Sequence, residues 1–106
     1  IELNVISTYT HAREDCDVCF DLTSEAADIS IGSIGSPSGW NTVIIRTQIG
    51  KDLYSGLIEN DLIESKKIKD VKPGLPFLEK VAKSKRNKCT KHIDKKKNKK
   101  TRYPRY

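Results

Sequence analysis

Large apolar positions fall into short clusters separated by polar or glycine-rich stretches. Ile1–Ile6 alternates apolar with polar residues and predicts a strand already under way at the first position. Residues 8–15 form a polar connector. Thr23–Ala27 has a cap-like start, which predicts one or two helical turns. Ile29–Ile34 alternates apolar with small residues, a strand pattern with close backbone neighbours. Asn41–Thr47 is β-branched and continuous, the mark of a buried strand. A helix opening at Gly50 follows, with Leu53, Leu57 and Ile58 at helical spacing up to about Asp61. Leu62–Ile68 predicts a further short strand, and Lys72–Pro76 breaks the chain. Phe77, Leu78, Val81 and Ala82 start a second helix, predicted to run through the lysines to Tyr103–Pro104 with a solvated end. The fold class expected is α+β: a small mixed sheet with two helices, the C-terminal one running into a basic tail.

At 106 residues the chain is one domain at most, and an apolar fraction of 36% leaves little for a large core. It contains no methionine and opens inside a strand pattern, so a piece of a longer protein is expected. No window approaches the roughly 18 consecutive apolar residues of a membrane span, and no signal-peptide pattern opens the chain. The expected location is cytoplasmic, with any membrane association coming through partner subunits. Three cysteines make an odd number, which argues against a secreted disulfide framework and for a reducing compartment.

The net charge of +6 conceals a split. Up to Ser65 the acids outnumber Arg13, Arg46 and Lys51, whereas from Lys83 onward Asp94 is the single acid among lysines and arginines. Two parts are therefore expected, 1–82 and a lysine-rich helical or disordered tail over 83–106. The tail can track nucleic acid through phosphate contacts. Its only aromatics, Tyr103 and Tyr106, lie at the extreme end, so a base-stacking platform has little support. A solvated tail or a subunit contact accounts for it better.

Cys16 and Cys19 stand three apart, a spacing that lets a turn point both sulfurs at one metal or one iron–sulfur cluster. The bland alternative is a pair of ordinary thiols. Cys89 and His92 could supply two further ligands, but Cys89 falls in a lysine-rich stretch that reads as a solvated cationic face with nothing to shield a metal. Gly32–Trp40 holds three glycines, three serines and a terminal tryptophan. Such a loop permits close backbone approach, offers hydroxyls and amides, and ends on a ring that can wall a flat ligand. It matches neither the Walker loop nor the G-x-G-x-x-G fingerprint. On these residues alone a plain hairpin connection, with Trp40 in the core, is the stronger reading.

Taken together, the motifs carry a resemblance. Thr10–His11, Cys16-x-x-Cys19, Asp21–Asp28, Ile31–Trp40 and Thr42–Thr47 are similar to the β subunits of coenzyme F420-reducing hydrogenases, with F420H2 dehydrogenase subunits as relatives. The likeness continues through Gly50, Ile63–Glu64, Val71–Leu75 and Leu78–Lys80, to about Lys85. It implies the C-terminal part of a larger α/β oxidoreductase subunit that binds FAD and a [4Fe-4S] cluster, takes coenzyme F420 as substrate and assembles with other subunits. Cys16 and Cys19 would be two cluster ligands, the other two lying upstream. Ser33, Gly35, Ser36 and Trp40 would sit near the flavin or the coenzyme. The acids flanking the thiols (Glu14, Asp15, Asp17, Asp21) would disfavour added electron density there. Cys89 and the lysine-rich end fall outside the resemblance. The alternative function is a small basic, non-catalytic module that binds nucleic acid through its tail, its cysteines structural.

Overall fold

The structure, a computed structural model, describes residues 9–100 and 102. The strand expected at Ile1–Ile6 and the chain beyond residue 102 lie outside the described residues. Two compact units are present: Asp21–Lys83, and a second built from the chain up to Phe20 and from Ser84 onward.

The first unit is organised by an antiparallel hairpin of β1 (Ile29–Gly32) and β2 (Thr42–Ile45). The register pairs Ile29 with Ile45 and Ile31 with Val43, so these four apolar side chains share one face. Ser30, Ile44, Gly32 and Thr42 share the other. Arg46, just past β2, reaches back to the turn before β1, donating to the Thr23 carbonyl at 2.9 Å, Thr23 Oγ1 at 3.0 Å and Ser30 Oγ at 2.6 Å. Helix α1 (Glu14–Asp17) belongs to the second unit; α2 (Gln48–Glu59) follows the hairpin. Thr47 caps α2: its hydroxyl accepts from the Gly50 amide at 3.2 Å and donates to Asp28 Oδ1 at 2.7 Å. Gly50 is buried, and the position has to be glycine because the Asp28 carbonyl oxygen would stand 2.5 Å from any Cβ there.

The expected α+β class holds. Among the described residues the sheet is a single antiparallel pair rather than a mixed one. No strand forms over Leu62–Ile68. Helix α2 ends in a Schellman arrangement, Asp61 N–H donating to the Ile58 carbonyl and Leu62 N–H to that of Leu57, with Asp61 at φ 53°. The chain leaves that turn as an unpaired segment and reaches a 3-10 turn at Ile68–Asp70. Thr23–Ala27 is not helical either. The Asp21 carboxylate takes the Thr23 and Glu25 amides at 3.1 Å, and Ser24 at φ 54° leaves the helical region. The connector over 8–15 holds more structure than its polarity suggests, a 3-10 turn at Tyr9–His11 and the start of α1.

The last helix, α3, runs Gly74–Asn98, starting three residues before Phe77 and carrying the lysine-rich segment as regular helix. From Ser84 onward it belongs to the second unit, and there Lys85, Cys89, His92, Ile93 and Lys96 form its less exposed stripe. That spacing of three, four and seven is an amphipathic face in which lysine stems take apolar positions. Val18 and Cys89, at 4% and 3% exposure, are the buried apolar side chains among the described residues.

Candidate functional site

Each unit contributes one chemical feature. In the second unit α1 is a single turn, closed by Cys16 N–H donating to the Arg13 carbonyl at 3.0 Å and Val18 N–H to that of Asp15 at 3.3 Å. The turn leaves Cys16 exposed and Cys19 half-buried, with no disulfide among the three cysteines. Cys89 is not on a solvated face, contrary to expectation. Its Sγ donates to the Val18 carbonyl at 3.1 Å, because the periodicity of α3 turns position 89 inward while the neighbouring lysines point outward. Burial first, and then the neighbouring Cys19, push its thiol pKa up against the opposing charge of Lys85, so the sulfur keeps its proton.

Two of the four flanking acids, Asp17 and Glu14, face lysines of α3. Lys88 Nζ lies 2.8 Å from Asp17 Oδ1, and Lys96 Nζ lies 4.0 Å from Glu14 Oε2. The Lys88 hydrogen bond, above all, holds the Asp17 carboxyl below its ordinary value, with the charges of Lys88, His92 and Lys96 adding to it and slight burial opposing. Arg86 stacks over the Phe20 ring at 5.1 Å. Among the described residues no three His, Cys, Asp or Glu side chains gather in a way that could hold a metal. Cys16 and Cys19 alone would supply two of the four thiolates that an iron–sulfur cluster takes.

In the first unit the glycine-rich segment is the β1–β2 connection, as the hairpin reading holds. Ser36 Oγ sits 2.8 Å from the Ser33 carbonyl and 2.9 Å from that of Trp40, its one proton serving either, and Trp40 N–H donates to Pro37 at 3.1 Å. Gly35 is buried at φ 92°, where its carbonyl accepts from Gly74 N–H at 2.9 Å and a Cβ would come within 2.9 Å of the Gly74 oxygen.

The same connection also walls a cleft. A recess of 590 Å³ opens on the Ile29, Ile31, Val43 and Ile45 face, bordered by Ser36, Trp40, Tyr54, Leu57 and the Ile63–Lys66 segment. Its size, and an apolar floor rimmed by polar groups that include Asn41, Glu64, Ser65 and Lys66, suit a flat organic ligand. Trp40 is half-buried and carries Lys66 Nζ 4.6 Å from its ring centroid. Of the loop residues expected near a ligand, Ser36 and Trp40 border this cleft. Ser33 and Gly35 do not, and Gly35 serves the contact with Gly74 instead. Tyr54 and Lys66 escaped the sequence reading. Tyr54 is one apolar position of α2 among several, and Lys66 reaches Trp40 only because Leu62–Lys67 is unpaired chain rather than strand.

A family model for the C terminus of the coenzyme F420 hydrogenase/dehydrogenase beta subunit matches residues 1–71. The chain belongs to this family. It is 44% identical over 91 residues to the beta subunit of the coenzyme F420 hydrogenase of Methanosarcina barkeri, covering 86% of this chain and 31% of that protein. Against an F(420)H(2) dehydrogenase subunit of Methanosarcina mazei it is 41% identical over 83 residues, 78% of this chain and 23% of the relative. The fold agrees with a chain of the F420-reducing [NiFe] hydrogenase complex from Methanosarcina barkeri, with a TM-score of 0.85, 39% identity, and coverage of 94% of this chain and 35% of that one. The chain therefore spans about a third, or less, of the length of these relatives. The family match takes in the thiol pair, the hairpin connection and Lys66, and stops before α3.

Proposed function

We propose that this chain is the C-terminal part of an F420-dependent oxidoreductase subunit, which moves hydride between coenzyme F420 and FAD and electrons to a [4Fe-4S] cluster. The observation that carries this reading is that one stretch of family similarity contains both a thiol pair fit for half a cluster and an aromatic-walled cleft. A bound flavin exchanges hydride on one side and single electrons on the other. This chain's residues supply the setting. The Ile29, Ile31, Val43 and Ile45 face would keep water from a flat ring held in the cleft, Trp40 would wall it, and Lys66 would offer a positive charge to an anionic group at the margin. Ser36, its proton held by the loop's own carbonyls, would offer only an acceptor oxygen to a ligand, while Ser33 and Gly35 shape the loop. Cys16 and Cys19 would hold the cluster as thiolates, with two ligands from residues outside this chain. Residues 1–82 would form the cofactor-bearing part and 83–106 an appendage to it.

The partners in this reading are the other subunits of a hydrogenase or dehydrogenase complex. No helix among the described residues is long and apolar enough to cross a membrane. The proposed location is cytoplasmic, with membrane attachment only through such partners.

The cleft is tested in the complete subunit by substituting Trp40→Ala and Lys66→Gln and titrating F420 fluorescence alongside flavin content. Loss of an aromatic wall worth about 1–2 kcal/mol should weaken F420 binding or flavin retention roughly 5- to 30-fold in the Trp40 variant. The effect of Lys66→Gln should be smaller and salt-dependent. Unchanged affinity and unchanged flavin in both variants would place the ligand elsewhere.

A further inference from the structure

The lysine-rich part of α3 lies beyond the family match, yet it carries a buried thiol aimed at the turn that bears the thiol pair. We propose that Cys89 is a positioning residue for Cys19: its thiol fixes the Val18–Cys19 peptide, and Arg86, one turn earlier on α3, fixes the ring on the other side of Cys19. The proposal rests on Cys16 and Cys19 being cluster ligands and goes beyond it, because Cys89 takes no part as a ligand.

The geometry is a clamp around one residue. Cys89 Sγ donates to the carbonyl of Val18, the residue before Cys19, at 3.1 Å. Arg86 lies over the ring of Phe20, the residue after it, at 5.1 Å. Positions 86 and 89 are three apart and so neighbours on one helix face. A peptide unit is planar, so holding the Val18 oxygen also sets the direction of the Cys19 N–H on the opposite side of that plane. Backbone N–H groups around thiolates are a principal determinant of a cluster's potential. The thiol of Cys89 therefore constrains, through one planar peptide, the direction of the Cys19 N–H.

The surroundings favour a built contact over a chance one. Cys89 and Val18 are the two buried apolar side chains among the described residues, and they share this contact. Lys88 and Lys96, on the same helix, pair with Asp17 and Glu14 of α1 at 2.8 and 4.0 Å. Such exposed pairs are individually weak, but they join the same two segments that the Cys89 contact joins.

The test uses the complete subunit with its cluster, in Cys89→Ser, Cys89→Ala and Cys89→Val forms. Serine keeps a hydrogen-bond donor; alanine and valine do not, and valine fills the space should alanine fail to fold. Iron content, the EPR spectrum of the reduced cluster and its midpoint potential are measured for each, with Cys16→Ser as the reference for a lost ligand. The expected result is iron retained in all three Cys89 variants, a wild-type spectrum and potential for serine, and a shifted potential with altered line shape for alanine and valine. Iron loss in Cys16→Ser together with wild-type spectra and potentials in alanine and valine would overturn the positioning role alone. A serine variant that shifts as far as alanine would overturn it too, because the donor would then be irrelevant. Cys16→Ser with full iron would instead remove the ligand assignment on which the proposal stands.

Discussion

Gly50 and Gly56 lie in the same helix and should respond in opposite directions to the same substitution. Added to Gly50, a Cβ would sit 2.5 Å from the Asp28 carbonyl oxygen, a backbone atom that already accepts from Arg46 N–H at 2.9 Å, while the Thr47 hydroxyl ties down the Asp28 carboxylate. Added to Gly56, it meets nothing within 4 Å. Gly56→Ala is therefore expected to stabilise by about 0.5–1 kcal/mol, the ordinary helix gain. Gly50→Ala should destabilise by about 1–3 kcal/mol through overpacking. Thermal unfolding of the complete subunit reads both, and equal shifts for the two would mean that the contact between α2 and the turn at Asp28 is wrong. Of the loop residues, Trp40 was visible in the sequence as an aromatic closing a glycine loop. Gly35 was visible only as a flexible residue, since its partner Gly74 is 39 positions away and no local pattern announces that contact.

At the scale of elements, the hairpin and α2 were legible because their signals are local: apolar–small alternation in the first strand, a continuous β-branched run in the second, and Leu53, Leu57 and Ile58 at helical spacing. The strand expected over Leu62–Ile68 was not a strand, for a reason that is also local but subtler. Asp61 takes the left-handed position that glycine usually fills at a helix end, so the Schellman turn is invisible to a search for glycine. An aspartate there carries a steric cost that glycine lacks. Asp61→Gly should accordingly raise stability by about 0.5–1 kcal/mol, measured as an upward shift in the unfolding temperature, whereas a fall would show that the aspartate side chain itself supports the turn. The inward stripe of α3 was hidden differently. Lys85 and Lys96 occupy apolar positions with their stems, so the charge count concealed a pattern that Cys89, His92 and Ile93 still carry.

Across the whole molecule the described residues leave large apolar groups uncovered, with Ile49 at 72%, Ile31 at 68% and Leu53 at 58% exposure. Surface of this kind fits the proposed place within a longer subunit. The basic end reads differently from a nucleic-acid tail once its pairings are known, since Lys88 and Lys96 already face Asp17 and Glu14. Truncation after Ala82 is expected to leave binding of DNA and RNA unchanged in a filter assay, where a basic module would lose a salt-sensitive affinity. The thiol pair and one wall of a cleft could be recognised from sequence, because cysteine spacing and a glycine–tryptophan loop are short-range signals; the contact from α3 spans 71 residues and could not. The central claim, that this chain supplies thiolates to an iron–sulfur cluster in an F420-dependent subunit, is tested most directly by the iron bound per complete subunit when Cys16 and Cys19 are both replaced by serine, read together with F420-linked electron transfer to an acceptor. Loss of about four irons and of that electron flow, with the protein still folded, is the predicted result; full iron content with unaltered electron flow would contradict it.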